Sequence, residues 1–298
     1  MKTRLIIFLL ALLLLPVAGL WLSGSSWGDL GLRGLAGDAS IVNPPSALLT
    51  TLMMVGYIVF INHLNKLITG NQPFQGRSDY LLRVAGASAV LGWLLVYLNL
   101  YVASWTTHTG NPLLQALLYT PLFATLAPAV LCTHAFVAAL PSVAERLSSL
   151  NRLTLPAPDK PAYALLTLAA LGLVGGAAWP TQLYALLWFA PLLLLLALQW
   201  LWHESTIFSG MKSGDYGRVI CAGLAGLIAG NFVLFAYKSN GGLLAIQATL
   251  FKPLGLLLFG LLCMQLADVL AEDWHGKKRG DGSPLKKEFS TPMAVKKN

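Results

Sequence analysis

Long apolar stretches separated by short polar segments set the pattern of this chain. Eight of them, at about 4–22, 46–68, 82–104, 114–140, 161–179, 183–203, 217–237 and 246–271, are nearly free of charge. Each is close to the roughly 20 residues an α-helix needs to cross about 30 Å of hydrocarbon. Inside a bilayer such a continuous segment satisfies its own backbone hydrogen bonds only as a helix. The pattern therefore predicts an all-α, polytopic membrane protein with eight spans.

The polar segments carry a second signal. His63-Leu-Asn-Lys-Leu-Ile-Thr-Gly70, followed by Asp79-Tyr80 and Arg83-Val84, is echoed by His203-Glu-Ser-Thr-Ile-Phe-Ser-Gly210, followed by Asp215-Tyr216 and Arg218-Val219. Agreement among the polar residues of an otherwise Leu-, Ala- and Gly-rich chain suggests duplication of an ancestral unit. The motif aligns the second and third spans with the sixth and seventh. Leu131-Cys132-Thr133-His134 in the fourth span then faces Leu262-Cys263-Met264-Gln265 in the eighth, and Lys2 to Trp21 has the same spacing as Lys160 to Trp179. Four spans per unit is an even number, so the two units are parallel and related by an axis along the membrane normal. The expected organisation is a first four-helix repeat over 1–141, a linker over 142–160, a second repeat over 161–274 and a basic, disordered tail over 275–298.

Composition supports this reading and excludes others. With 11% charged residues and a mean hydropathy of +0.67, the chain is too apolar for a soluble domain. The net charge of +8 follows from where the basic residues lie. Lys2 and Arg4 precede the first span; Lys66, Arg77 and Arg83 lie between the second and third; Arg146, Arg152 and Lys160 between the fourth and fifth; Lys212 and Arg218 between the sixth and seventh. The tail adds seven more, from Lys277 to Lys297. Basic loops are retained in the cytoplasm, so both termini are expected there, in the cytoplasmic membrane of a bacterium. The charge is thus accounted for without nucleic acid, and the expected partners are membrane lipids and protein subunits of a membrane complex.

Enzyme signatures are missing: the sequence has no P-loop, no H-E-x-x-H, no G-x-S-x-G and no dinucleotide fingerprint. Cys132, Cys221 and Cys263 lie inside spans without C-x-x-C spacing, and read as small buried residues. In the duplicated motif, Asp79 and Asp215 suit helix capping, Gly70 and Gly210 suit tight turns, and Tyr80 and Tyr216 suit interfacial anchoring. The candidate ligand-binding residues are His63, Arg83, His203 and Arg218, with His134 at similar depth in the fourth span. Arg offers a planar fork to phosphate or carboxylate, and His adds a donor that titrates near neutral pH. Asp268 in the eighth span is expected to be interfacial rather than a coupling carboxylate. Asn99, Thr125, Thr133, Gln199, Asn231 and Gln265 are expected to bond between helices, glycines such as Gly226 and Gly230 to allow close helix approach, and Pro128, Pro191 and Pro253 to kink their spans.

These residues suggest a transport or translocation protein with a pseudo-symmetric His/Arg site for an anionic solute or lipid head group at the inner face. The alternatives are a non-catalytic anchor or assembly subunit, with quinone or haem as its ligand, and a membrane enzyme acting on a lipid-linked phosphate. No cofactor and no metal are assigned.

Overall fold

The computed structural model describes residues 44–70, 73–74, 78–102, 104–105, 112–140, 159–180, 182–202, 204–244 and 251–275. Within them the chain is all-helical, with seven helices long and apolar enough to cross a membrane. They are α1 (Pro44–Thr69), α2 (Ser78–Val102), α3 (Pro112–Ala138), α4 (Asp159–Ala170), α5 (Tyr184–Leu201), α6 (Gly217–Ser239) and α7 (Phe251–His275). The α4 span continues through a π-helical turn, Leu171–Gly175, to Ala178. These helices are the second to eighth expected spans. The first span, the segment 142–158 and the tail beyond 275 lie outside the described residues.

Because each helix reverses direction, α1, α3, α5 and α7 finish at the end where α2 and α6 begin. Lys66, Arg83, Lys212 and Arg218 all lie there, so it is the basic end. At the opposite end one isolated antiparallel bridge joins Trp105, after α2, to Leu244, after α6. α3 packs closely on both α1 and α2, and α7 packs on both α5 and α6, while α3 against α6 forms the main seam between the N-terminal half of the chain, α1–α3, and the C-terminal half, α4–α7.

Small side chains decide how near the helices come. Gly226 and Gly260 face each other across α6 and α7, and a Cβ on Gly226 would stand 2.5 Å from the Gly260 Cα. Gly172 likewise meets α5, where a Cβ would lie 2.6 Å from that of Ala190. In α3, Ser88 of α2 enters the backbone ladder. Its hydroxyl donates to the Phe123 carbonyl at 2.6 Å and accepts from the Ala127 N–H at 2.9 Å, one residue before Pro128, which has no N–H to give.

Three expectations change. Pro253 is the third residue of α7, in the first turn, where a missing N–H costs the helix nothing, so it is no interior kink; Pro121, Pro128 and Pro191 are interior. Of the polar span residues, Thr133 bonds between helices, to the Tyr57 hydroxyl at 2.7 Å. Gln265 bonds instead to a loop backbone, Asn99 caps the turn at Ser104 and Trp105, and Thr125 and Asn231 bond within their own helices. The two copies of the motif also differ in conformation. The first remains helical to Thr69 and ends on Gly70 in the left-handed region (φ 73°). The second leaves the helix after Leu201.

Candidate functional site

The side chains of the second motif permit its unwinding, and tertiary contacts hold it. Where the first copy has Leu64, Asn65 and Lys66, the second has Glu204, Ser205 and Thr206, and the hydroxyls of Ser205 and Thr206 can compete with the helix ladder. The Glu204 N–H returns to the Gln199 carbonyl, and the Ser209 hydroxyl accepts from the Thr206 N–H while the Ser209 N–H reaches the Thr206 carbonyl. A 3-10 turn, Ser209–Ser213, and Gly214 in the left-handed region (φ 86°) complete the loop. Thus Gly214, not Gly210, takes the positive φ in this copy. Gly210 instead packs against the Asp215 carbonyl, where a Cβ would come within 2.9 Å, and its own carbonyl accepts the Asp215 N–H. Asp215 in turn accepts the Gly217 N–H at 2.9 Å at the start of α6.

The released segment folds inward. Ile207 is buried beside Ala222 and Met264, against Leu131 of α3, Val219 of α6 and Leu261 of α7. Its N–H donates to Oε1 of Gln265 at 2.9 Å. Thr206 is buried as well. The loop therefore forms a floor at the basic end, between α3 of the first half and α6 and α7 of the second.

A polar cluster sits at that floor. Arg218, in the first turn of α6, donates from Nη2 to Oδ1 of Asp268 on α7. The Asp268 side chain is 6% exposed and that of Arg218 34%, so the carboxylate lies inside and the guanidinium reaches outward. His134, four residues before the end of α3, lies close to both. Its Nε2 is buried without a partner among the described residues. The Gln265 Nε2, one turn from Asp268, is in the same condition, and so are both amide atoms of Gln199, one turn from the end of α5. Burying a polar group with no hydrogen bond costs about 1–3 kcal/mol, so such groups together require an explanation.

The other sequence-predicted residues stand apart from this cluster. His63 and Arg83 are exposed near the basic ends of α1 and α2, Asp79 is exposed in the first turn of α2, and His203 lies outside the described residues. Tyr80 bridges the halves by donating from its hydroxyl to the Ala267 carbonyl at 3.2 Å, next to Asp268. Tyr216 is the residue before α6. Arg218 and His134 therefore meet across the two halves, and Asp268, expected at the interface, proves to be buried beside them. Gln265 and Asp268 lie three residues apart on one face of α7, and that shared face was the sequence signal for a polar site. Among the described residues no group of three His, Cys, Asp or Glu is arranged to hold a metal ion. Compared with protein-family models, curated proteins and solved structures, the chain matches none.

Proposed function

We propose that this chain is a transport or translocation protein of two parallel four-helix units that binds an anionic solute or lipid head group at its basic, cytoplasmic end. The observation that carries this reading is the buried hydrogen-bonding capacity left open where the halves meet. Arg218 commits Nη2 to Asp268 but has further donors in its fork, and His134 Nε2 and Gln265 Nε2 lack protein partners among the described residues. A phosphate or carboxylate accepts several hydrogen bonds at once and would satisfy such an array. Asp268 makes the site close to neutral without ligand, so an incoming anion must compete with an internal carboxylate. Such a site releases its ligand readily, as transport requires.

The duplication is supported by the packing as well as by the motif. In each half the last helix lies against the two helices before it, and the bridge Trp105–Leu244 joins equivalent loops. Arg83 and His63 are then the first-unit equivalents that left the centre, and Arg83 adds positive charge at the basic end. His203, which lies outside the described residues, remains part of the proposal as the second-unit counterpart of His63.

The test is equilibrium binding of radiolabelled inorganic phosphate, and of glycerol 3-phosphate as a head-group mimic, to purified protein. Binding to the wild type, lost in Arg218→Gln and weakened at least about tenfold in His134→Ala, supports the site; one good hydrogen bond to a charged group is worth roughly that factor. Equal binding by wild type and Arg218→Gln, or none by either, overturns it.

A further inference from the structure

A cavity lies toward the opposite end and shares no residue with the cluster around Arg218. It measures about 250 Å³ and is bounded by α2 and α3 of one half and α5, α6 and α7 of the other. Its walls are aromatic: Trp105 and Trp188 lie with ring centroids 6.0 Å apart, and Tyr119 stands beside Phe123 at 5.9 Å. The hydroxyls of Tyr119 and Tyr237, which also line it, bond to each other at 3.3 Å across α3 and α6.

Polarity along the cavity is graded. Lys252, exposed in the first turn of α7, lies at one extremity, and Ser104 and Tyr184 come from the same end of the bundle. The floor is Leu126 of α3, Leu192 of α5 and Leu262 of α7. From Lys252 to Leu262 is ten residues of helix, about 15 Å at 1.5 Å per residue. The volume is below the roughly 300–1,000 Å³ of ordinary small-molecule pockets, and the described lining is mostly apolar side chain. A single unbranched apolar chain suits this length and this lining.

We infer that this cavity is a binding site for an anionic phospholipid of the surrounding bilayer, one acyl chain lying along the Trp105–Trp188 wall and the head group on Lys252. A methylene moved from the bilayer into such a wall gains little. Selectivity therefore rests on two things: close packing of one chain against rigid aromatic rings, and the charge at the mouth. An ammonium at the bilayer surface contributes about 1 kcal/mol toward an anionic head group, or roughly fivefold. The site is independent of the proposed anion site at the basic end, and it fails or stands without reference to it.

Native mass spectrometry after exchange into nanodiscs containing phosphatidylglycerol and phosphatidylcholine in equal amounts, with identical chains, tests the inference. The wild type should retain one phosphatidylglycerol at about fivefold preference. Lys252→Gln should abolish the preference while still retaining a lipid, and Val233→Phe, which places a ring in the cavity, should retain none. A monodisperse, helical Val233→Phe protein that holds lipid as the wild type does overturns the inference, as does a wild type indifferent to head group. Should Val233→Phe not fold, quenching of wild-type tryptophan fluorescence by phosphatidylglycerol brominated along its chains decides the same point: strong quenching that Lys252→Gln reduces supports the site, and quenching no greater than with brominated phosphatidylcholine refutes it.

Discussion

Replacing Arg218 by Gln should destabilise the protein more than replacing its partner Asp268 by Asn, and the double variant should be more stable than Arg218→Gln alone. The asymmetry follows from burial: the Asp268 side chain is 6% exposed and that of Arg218 34%. Without Arg218, a carboxylate remains inside an apolar bundle with its main counter-charge gone, a change that typically costs about 3–5 kcal/mol. Without Asp268, the guanidinium already has access to the surroundings and a long stem on which to extend, so the cost falls to roughly 1 kcal/mol, the range of exposed pairs. With both replaced, no charge is buried, and the coupling energy between the two sites should be about 2 kcal/mol. The assay is unfolding of purified protein in mixed micelles by increasing SDS, followed by circular dichroism, with the half-life at fixed temperature as the measure if unfolding is irreversible. Two results would refute this reasoning: Arg218→Gln no less stable than Asp268→Asn, or single-variant losses that simply add in the double variant.

The helix seams give further predictions. Gly260→Val should lower stability by about 1–3 kcal/mol or more, because its Cβ would stand 2.7 Å from the Gly226 Cα and only backbone is there to yield. Gly86→Ala in α2, where a Cβ meets nothing within 4 Å, should instead raise stability by up to about 1 kcal/mol through helix propensity, and the two are compared by melting in the same detergent. Ser88→Ala removes the hydroxyl that bridges the Phe123 carbonyl and the Ala127 N–H. A loss of about 1 kcal/mol, with faster hydrogen exchange at Ala127, is expected; unchanged exchange there would show that the ladder closes without the serine.

Little of the candidate site was legible in the sequence. Arg218 and His134 stood out because charged or titratable groups are rare in apolar spans, but nothing local told which of five basic candidates would meet. The duplicated motif suggested that His63 and Arg83 would match His203 and Arg218. The structure leaves His63 and Arg83 exposed and gathers Arg218 with His134 and Asp268. Asp268 looked interfacial because it precedes Glu272 and Asp273 by one turn. Its depth depends on the loop 204–216 folding beneath it, a contact between segments about 60 residues apart in sequence.

The sequence by itself determined what is local: that helices of about 20 residues would form, where seven of them run, and which end of the bundle is basic. Length, apolarity and the need of backbone groups for partners in hydrocarbon are properties of each segment taken alone. Tertiary structure decided how those helices meet, through glycines that admit a neighbour's backbone and a serine that opens one. It also decided that the same motif would stay helical in one half and unwind in the other. A helix end is held by small free-energy differences, so burial of Ile207 and its bond to Gln265 outweigh the likeness of two sequences.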